Sequence, residues 1–226
     1  MKIGIITYDT AHLKTEQVAL GLAAIGTHEL EFFGLPFVPR APRPIIFQHR
    51  PDMETGARSR DVAKALGFNF VSCASPADIP ADGADIFLIT GAGLLPPEFV
   101  NATRGRVLNS HPGIIPLVRG LDAFKWAILD GQPLGNSIHY IDEAADAGEV
   151  VAVRPTPVFK SDSLAQLARR HYEIEIAMMI GFEALLADAG NSQGDYEERR
   201  ARMRMPADLQ AQLEPAFEAY KDKFGI

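Results

Sequence analysis

The feature that most constrains this chain is the alternation of short apolar runs with stretches of helical spacing. Residues 2–7, at the extreme N-terminus, read as a buried strand. Residues 13–25 follow at helical spacing, with Leu13, Val18, Leu20, Leu22 and Ile25 apolar and Gly26 as a stop signal. The pattern predicts further strands over residues 28–33, 68–72, 85–90 and 106–109, and helices over 57–66, closed by Gly67, and 121–129. Residues 136–141 alternate as a strand, with 149–153 as its hairpin partner. Residues 163–186 form the strongest helix, opened by a capping box of Ser163 and Gln166. Strands that alternate with helices pair in parallel through crossovers. The expected class is therefore α/β, a Rossmann-like, mostly parallel sheet flanked by helices.

Two segments stand outside this rhythm. Residues 35–56 hold Pro36, Pro39, Pro42, Pro44 and Pro51 together with Arg40, Arg43, His49 and Arg50. Proline at this density excludes regular helix and central strand. Ile45, Ile46 and Phe47 give the segment something to bury, so an ordered loop is expected, and long ordered loops usually carry function. Residues 196–224 are highly charged and contain Pro206 and Pro215, which predicts helix in pieces, docked on the body or on a second subunit as a homodimer. The expected organisation is a body of residues 1–190 with a charged helical extension, 191–226.

Composition narrows the partners. A net charge of -7, with no long run of Lys or Arg, argues against nucleic acid. Cys73 is the only cysteine, which excludes an intrachain disulfide and a multi-thiolate zinc site and fits a reducing compartment. The N-terminal apolar run is too short for a signal peptide, and no stretch approaches the roughly 20 apolar residues of a membrane span. A cytoplasmic protein is expected.

In open α/β sheets ligands collect beyond the carboxyl ends of strands. Two such ends stand out: Ile89-Thr90-Gly91-Ala92-Gly93 and Leu108-Asn109-Ser110-His111-Pro112. Residues two apart on an extended segment point the same way, so Asn109 and His111 face one space. Asp146, in a loop with Gly148, can reach across. An amide, an imidazole and a carboxylate suit acyl transfer: the amide donates to a developing oxyanion, the imidazole adds charge, and the carboxylate supports it and takes a proton. From spacing alone the plainer alternative stays open, with Asn109 as a turn cap, His111 as a satisfied core histidine and Asp146 as a turn residue. His12, His49, His111 and Asp146 have no spacing that supports a metal site, so no metal is expected.

The segments VLNSHPGIIPLVRG, residues 107–120, and GNSIHYIDEAADAGEVV, residues 135–151, resemble the folate-dependent formyltransferases, a group that includes glycinamide ribonucleotide, methionyl-tRNA and sugar-nucleotide N-formyltransferases. Asn109, His111, Pro112, Pro116 and Gly120 match the group's first motif, and Gly135, Ser137, His139, Asp146 and Gly148 match its second. The resemblance implies the formyltransferase fold and an enzyme that moves a formyl group from 10-formyltetrahydrofolate, released as tetrahydrofolate, to a primary amine. It implies Asn109, His111 and Asp146 as the catalytic set, supported by Ser110, Pro112, Ser137 and His139. It also implies a pteridine site formed by Thr90, Gly91, Ala92, Gly93, Leu94 and Leu95 with Ile141, Asp142, Glu143, Ala144 and Ala145, and a cis bond before Pro116.

The departures bear on the acceptor. Gly113 stands where the group usually has serine, and Ile114-Ile115 replaces Leu-Leu. The glycine-rich phosphate loop of the glycinamide ribonucleotide enzymes is replaced by Tyr8-Asp9-Thr10-Ala11-His12, and the basic C-terminal domain of the methionyl-tRNA enzymes has no counterpart here. By elimination the expected acceptor is a small-molecule amine on an amino-sugar nucleotide, touched by Asp9 and His12, with its diphosphate on Arg40, Arg43, His49 and Arg50. The alternatives are glycinamide ribonucleotide as acceptor, hydrolysis of 10-formyltetrahydrofolate by the same residues, and a non-enzymatic module that senses folate or a nucleotide sugar.

Overall fold

The computed structural model describes residues 1–39, 41–142, 146, 148–188 and 196–226. Among the expected site residues, Arg40, Glu143, Ala144 and Ala145 lie outside the described residues, as does the expected boundary near residue 190.

Seven strands form one sheet: β1 (Lys2–Tyr8), β2 (Glu29–Leu35), β3 (Asn69–Ser72), β4 (Ile86–Ile89), β5 (Val107–His111), β6 (Gly135–Tyr140) and β7 (Val150–Pro155). Their order is β3-β2-β1-β4-β5-β6-β7. The first five are parallel. Helices α1 (Leu13–Ile25), α2 (Ser59–Leu66) and α3 (Pro97–Ala102) carry the crossovers after β1, β2 and β4. After β5 comes α4 (Ala123–Leu129), and β6 then returns antiparallel to β5 with β7 as its hairpin partner. The mixed sheet flanked by helices is the architecture that the alternation predicted.

Side-chain alternation explains the two-sided core. Ile3 and Ile5 of β1, Leu30 and Phe32 of β2 and Leu88 of β4 pack with α1 and α2 and with α5 (Leu164–Ile180). Their neighbours Ile6, Phe33 and Phe87 point to the opposite face, against Phe99 of α3. Period-two alternation with both faces apolar is the signature of a sheet covered on both sides.

The structure revises three local readings. Strand β5 runs on to His111 instead of ending at Asn109, because β6 pairs with it across residues 108–111. The helix expected over 163–186 breaks at Gly181, whose low helix propensity separates α5 from α6 (Phe182–Ala187). Helix α3 was not anticipated; it begins at Pro97, where a missing N–H costs nothing. The capping box at Ser163 and Gln166 forms as expected. The bond between Ile115 and Pro116 is cis.

Beyond residue 195 the chain returns to the body. The Arg199 N–H donates to the Pro116 carbonyl at 3.1 Å, Arg202 N–H to Arg119 at 2.9 Å, and Leu121 N–H to Arg202 at 2.9 Å. Helices α7 (Ala207–Gln210) and α8 (Leu213–Phe224) follow. Met205, Leu213, Phe217 and Tyr220 are buried in one cluster with Phe124, Trp126 and Ile128 of α4. This tail contributes core, not only surface. Phe217→Ala should therefore cost about 3–5 kcal/mol of folding stability, the range for a fully buried aromatic, measured by urea denaturation. A loss of a few tenths would show that α8 is dispensable to the body.

Candidate functional site

Strands are added to one side of β1 as far as β3 and to its other side from β4, and a crevice opens at this switch in strand order beyond the carboxyl ends of the strands. A cavity of about 690 Å³ fills it, lined by Tyr8 at the end of β1, by Ile89 to Ala92 at and just beyond the end of β4 and by Asn109 to Pro112 at β5. Asp146 lines it from the loop between β6 and β7.

The antiparallel register of β5 and β6 sets Asn109 opposite His139 and His111 opposite Ser137. Asn109 Nδ2 lies 3.4 Å from His139 Nε2. His139 Nδ1 faces the Tyr140 carbonyl at 3.0 Å; a carbonyl only accepts, so Nδ1 carries the proton and Nε2 accepts from Asn109. Burial, and then the neighbouring charge of His111, lowers His139 to about 4. It is thus neutral at pH 7, and its 3.8 Å approach to Asp146 Oδ1 is no ion pair there.

His111 Nε2 faces the Val118 carbonyl at 2.9 Å, and Nδ1 faces Asp146 Oδ1 at 3.3 Å. Both ring nitrogens thus meet acceptors, and a ring that carries two protons satisfies both. The other Asp146 oxygen, Oδ2, accepts the Gly120 N–H at 3.0 Å. Burial pushes the Asp146 carboxyl up, but the hydrogen bond and charge of His111, with help from Gly120, hold it below the ordinary carboxylate range. Asp146 reaches this position with φ of 51°, a left-handed conformation that costs a non-glycine residue energy. Ser137 Oγ donates to the Gly113 carbonyl at 2.8 Å and accepts the Ile115 N–H at 3.0 Å, bracing the loop after His111. Ser110 Oγ is buried without a protein partner.

The loop expected to hold a pteridine divides. Thr90, Gly91 and Ala92 line the cavity. The Thr90 hydroxyl is committed to Thr15 at 2.9 Å, and Thr15 in turn meets His12 Nδ1 at 2.9 Å. Gly93 has open space on its side-chain face, and Leu94 is exposed. Leu95 and Ile141 pack partly buried against the cluster around Phe87. Asp142 does not line the cavity.

The residues expected at the acceptor are not all brought together. His12, Arg43, His49 and Arg50 line the cavity, but Asp9 does not; it is held by Arg60 at 2.7 Å. Arg50 is bound to Glu175, which also accepts from Lys14 Nζ at 2.7 Å. Glu175 is fully buried; these two cations override its burial and bring it down to about 2. His49 stacks on Phe124 at 5.8 Å, and burial lowers it to about 3, so it brings no charge at pH 7. Of the described basic residues in the proline-rich loop, Arg43 lines the cavity with the Asp122 carboxylate 3.5 Å away.

Lys14, Asp122, Lys125 and Arg204 also line the cavity, and the sequence reading passed over them. A signal existed for Lys125 and Glu175: each is a lone charge inside an apolar stretch, AFKWAIL and IEIAMM, and buried charges are rare unless they have a purpose.

With this geometry in view, the comparisons point to one group of proteins. Residues 77–182 match the family model for formyl transferase. Over that span, a little under half of the chain, the sequence is similar to formyl transferases. Phosphoribosylglycinamide formyltransferase of Haemophilus influenzae is 31% identical over 93 residues, 40% of this chain and 44% of that protein. The chain spans less than half the length of the curated relatives it matches. Among solved structures, phosphoribosylglycinamide formyltransferase from Anaplasma phagocytophilum superposes with a TM-score of 0.60 at 17% identity, covering 91% of this chain and 99% of that one. A formyltransferase from Anoxybacillus kamchatkensis, solved with a UDP-linked 4-formamido sugar and tetrahydrofolate, gives 0.52 at 16% identity over 94% of this chain and 90% of that one. These likenesses confirm the fold.

One departure from the formyl transferase pattern now has a physical reason. A Cβ on Gly113 would lie 2.4 Å from the Val118 carbonyl oxygen and 2.8 Å from His111 Nε2, so the usual serine does not fit beside this histidine. Gly113→Ala should lower stability by about 1–3 kcal/mol, as overpacking does, in urea denaturation; a variant as stable as the parent would mean the loop yields freely.

Acid should loosen the fold in a defined window. Burial, the largest cause in each case, lowers His12, His139 and His171 to about 4 and His49 to about 3. They are neutral when folded but take up protons when unfolded below their ordinary value near 6.5. Stability is therefore full above that value and falls as pH drops from 6.5 toward 4. Calorimetric Tm should decrease steadily from pH 7 to pH 5; a flat profile would contradict the neutral assignments.

Proposed function

We propose that this chain transfers a formyl group from 10-formyltetrahydrofolate to a primary amine, and that the amine belongs to a nucleotide-linked amino sugar. The observation that carries the reading is the meeting of Asn109, His111 and Asp146 at one wall of the crevice.

The residues present fit the donor. A flat heterocycle needs apolar faces and accessible backbone polar groups. Ala92, Leu95 and Ile141 supply apolar surface beside the candidate residues, and Gly93 leaves the approach open. The donor brings the formyl carbonyl and leaves as tetrahydrofolate. In the transfer the amine nitrogen bonds the formyl carbon and the donor's C–N bond breaks. The amine loses a proton to Asp146, directly or through water, and the departing nitrogen gains one. Asn109 Nδ2 donates to the oxygen on which negative charge gathers, and His111 places positive charge beside it. Its Nδ1, at 3.3 Å from Asp146, is the looser of its two contacts and the one such an oxygen can share. His139 fixes the amide of Asn109 and stays neutral. Ser110 and Pro112 complete the wall.

For the acceptor, the corner after β1 supports the sugar-nucleotide reading. The Asp9 N–H is spent on the Leu35 carbonyl at 2.8 Å and the His12 N–H on Ala57 at 3.1 Å. Tyr8 packs edge-on against His12 and Phe37. Amides committed in this way form no phosphate nest. The Haemophilus influenzae relative favours a second reading, with phosphoribosylglycinamide as acceptor.

The test is an incubation of the protein with formyl donor and, in turn, amino-sugar nucleotides, glycinamide ribonucleotide and no acceptor, read as a mass gain of the amine. Gain on an amino-sugar nucleotide is expected. Gain on glycinamide ribonucleotide alone would move the acceptor to the second reading, and donor loss without acceptor would mean hydrolysis. His111→Ala and Asp146→Asn should each reduce turnover about a hundredfold. Asparagine tolerates the left-handed backbone at residue 146, so the second variant removes charge and little else.

A further inference from the structure

The N–H of Gly120 holds one oxygen of Asp146 at 3.0 Å, while the other oxygen faces His111. Gly120 has φ of 88°, and glycine is the residue least held by its own backbone preferences. What holds this N–H in place is the segment on its far side. The Arg202 N–H donates to the Arg119 carbonyl at 2.9 Å, and the Leu121 N–H donates to the Arg202 carbonyl at 2.9 Å. Arg202 thus frames Gly120 from both ends of its peptide unit. The fit is close: a Cβ at Gly120 would lie 2.6 Å from the Arg202 backbone nitrogen.

Helix α4 and its C-terminal cap anchor Arg202 in turn. The guanidinium meets Asp130 at 2.6 Å and lies over the Trp126 ring, 4.4 Å from its centroid. Trp126 Nε1–H donates to the Met203 carbonyl at 2.8 Å, so one indole grips residues 202 and 203 by face and by edge. Asp146 needs such outside support, because its own left-handed conformation is costly. The titratable groups that face it are His111 on β5 and His139 on β6; the loop after β5 brings the Gly120 N–H. A hydrogen bond to the charged form favours that form, so the Gly120 contact helps keep Asp146 a carboxylate.

We propose that Arg202 is a positioning residue for Asp146: paired with residues 119–121 and gripped by Trp126, it sets the Gly120 N–H that aims the carboxylate at His111. The C-terminal segment then serves the reacting end of the crevice without touching it. The inference rests on the role given to Asp146 above, but its deciding measurement needs neither donor nor acceptor.

Arg202→Pro in the whole chain tests it, since proline lacks the N–H that meets Arg119. The readout is the protonation midpoint of Asp146, followed by carbon NMR of its carboxyl, with the signal assigned by its loss in Asp146→Asn. The midpoint should rise by about one pH unit, a tenfold gain in proton affinity, as loss of a hydrogen bond to a charged group allows. Phe217→Ala, which loosens the tail elsewhere, should lower stability and leave the midpoint at the parent value; a merely structural role would give Arg202→Pro the same pattern. Emission of Trp126, the one tryptophan of the chain, should shift to the red in Arg202→Pro as the segment leaves the indole. Should proline cost the fold, Arg202→Ala decides: it removes the contacts with Asp130 and Trp126, and a smaller rise is expected, reversed in Arg202→Lys. A parent midpoint in Arg202→Pro, or in Arg202→Ala where proline does not fold, overturns the role. Asp146 acts as a carboxylate, so activity falls as pH drops through its midpoint, and a raised midpoint moves the acid limb of kcat to higher pH. A raised midpoint in a protein that transfers no formyl group would support the positioning and sink the activity. Formyl transfer with an unmoved midpoint would do the opposite.

Discussion

The carboxylate of Asp146 is the joint on which the site turns. One oxygen faces His111 at the end of β5, and the other holds the backbone N–H of Gly120. Residue 120 is also where the tail docks, through the paired backbone of residues 119–121 and Arg202. The end of the sheet, the loop after β5 and the C-terminal segment are thus linked through a single side chain, itself held in a left-handed turn. Such a conformation persists only when its surroundings over-determine it.

That arrangement explains why the charged tail is part of the working structure. Phe217 and Tyr220 bury apolar surface against α4, and Lys125 on the same helix faces the cavity. Burial of α8 therefore fixes the helix that carries a cation, and the strand-like residues before it fix the loop that holds Asp146. Packing energy far from the crevice is converted into position inside it. A net charge of -7 is compatible with this, since the local field of a cavity depends on which charges line it and not on their sum over the chain.

The cavity separates into two chemical halves. Around Asn109, His111 and Asp146 the groups suit a carbonyl that gains negative charge and an amine that loses a proton. Toward Arg43 and Lys125 the lining turns cationic, with Asp122 as its nearby carboxylate. A transferase that must hold a small acceptor amine against a donor gains most from such division, because binding energy at the inert end is spent on orienting the reacting end.

Much of this was legible in the sequence. The strand–helix alternation, the glycine stops at Gly26 and Gly67 and the capping box at Ser163 are local signals, set by propensity and period, and each appears in the structure. The convergence of Asn109, His111 and Asp146 followed from alternation along β5 and from motif likeness. What the sequence left open is long-range. Nothing local says that Arg50 is spent on Glu175, that Asp9 turns toward Arg60, or that Lys125, Arg204 and Gln210 meet Arg43. Those partners are 51 to 167 residues apart, and only the folded core brings them within reach. The chain's own pattern settled most of the elements and the chemistry of the strand ends; burial and docking of the tail settled which distant groups come together at the cavity.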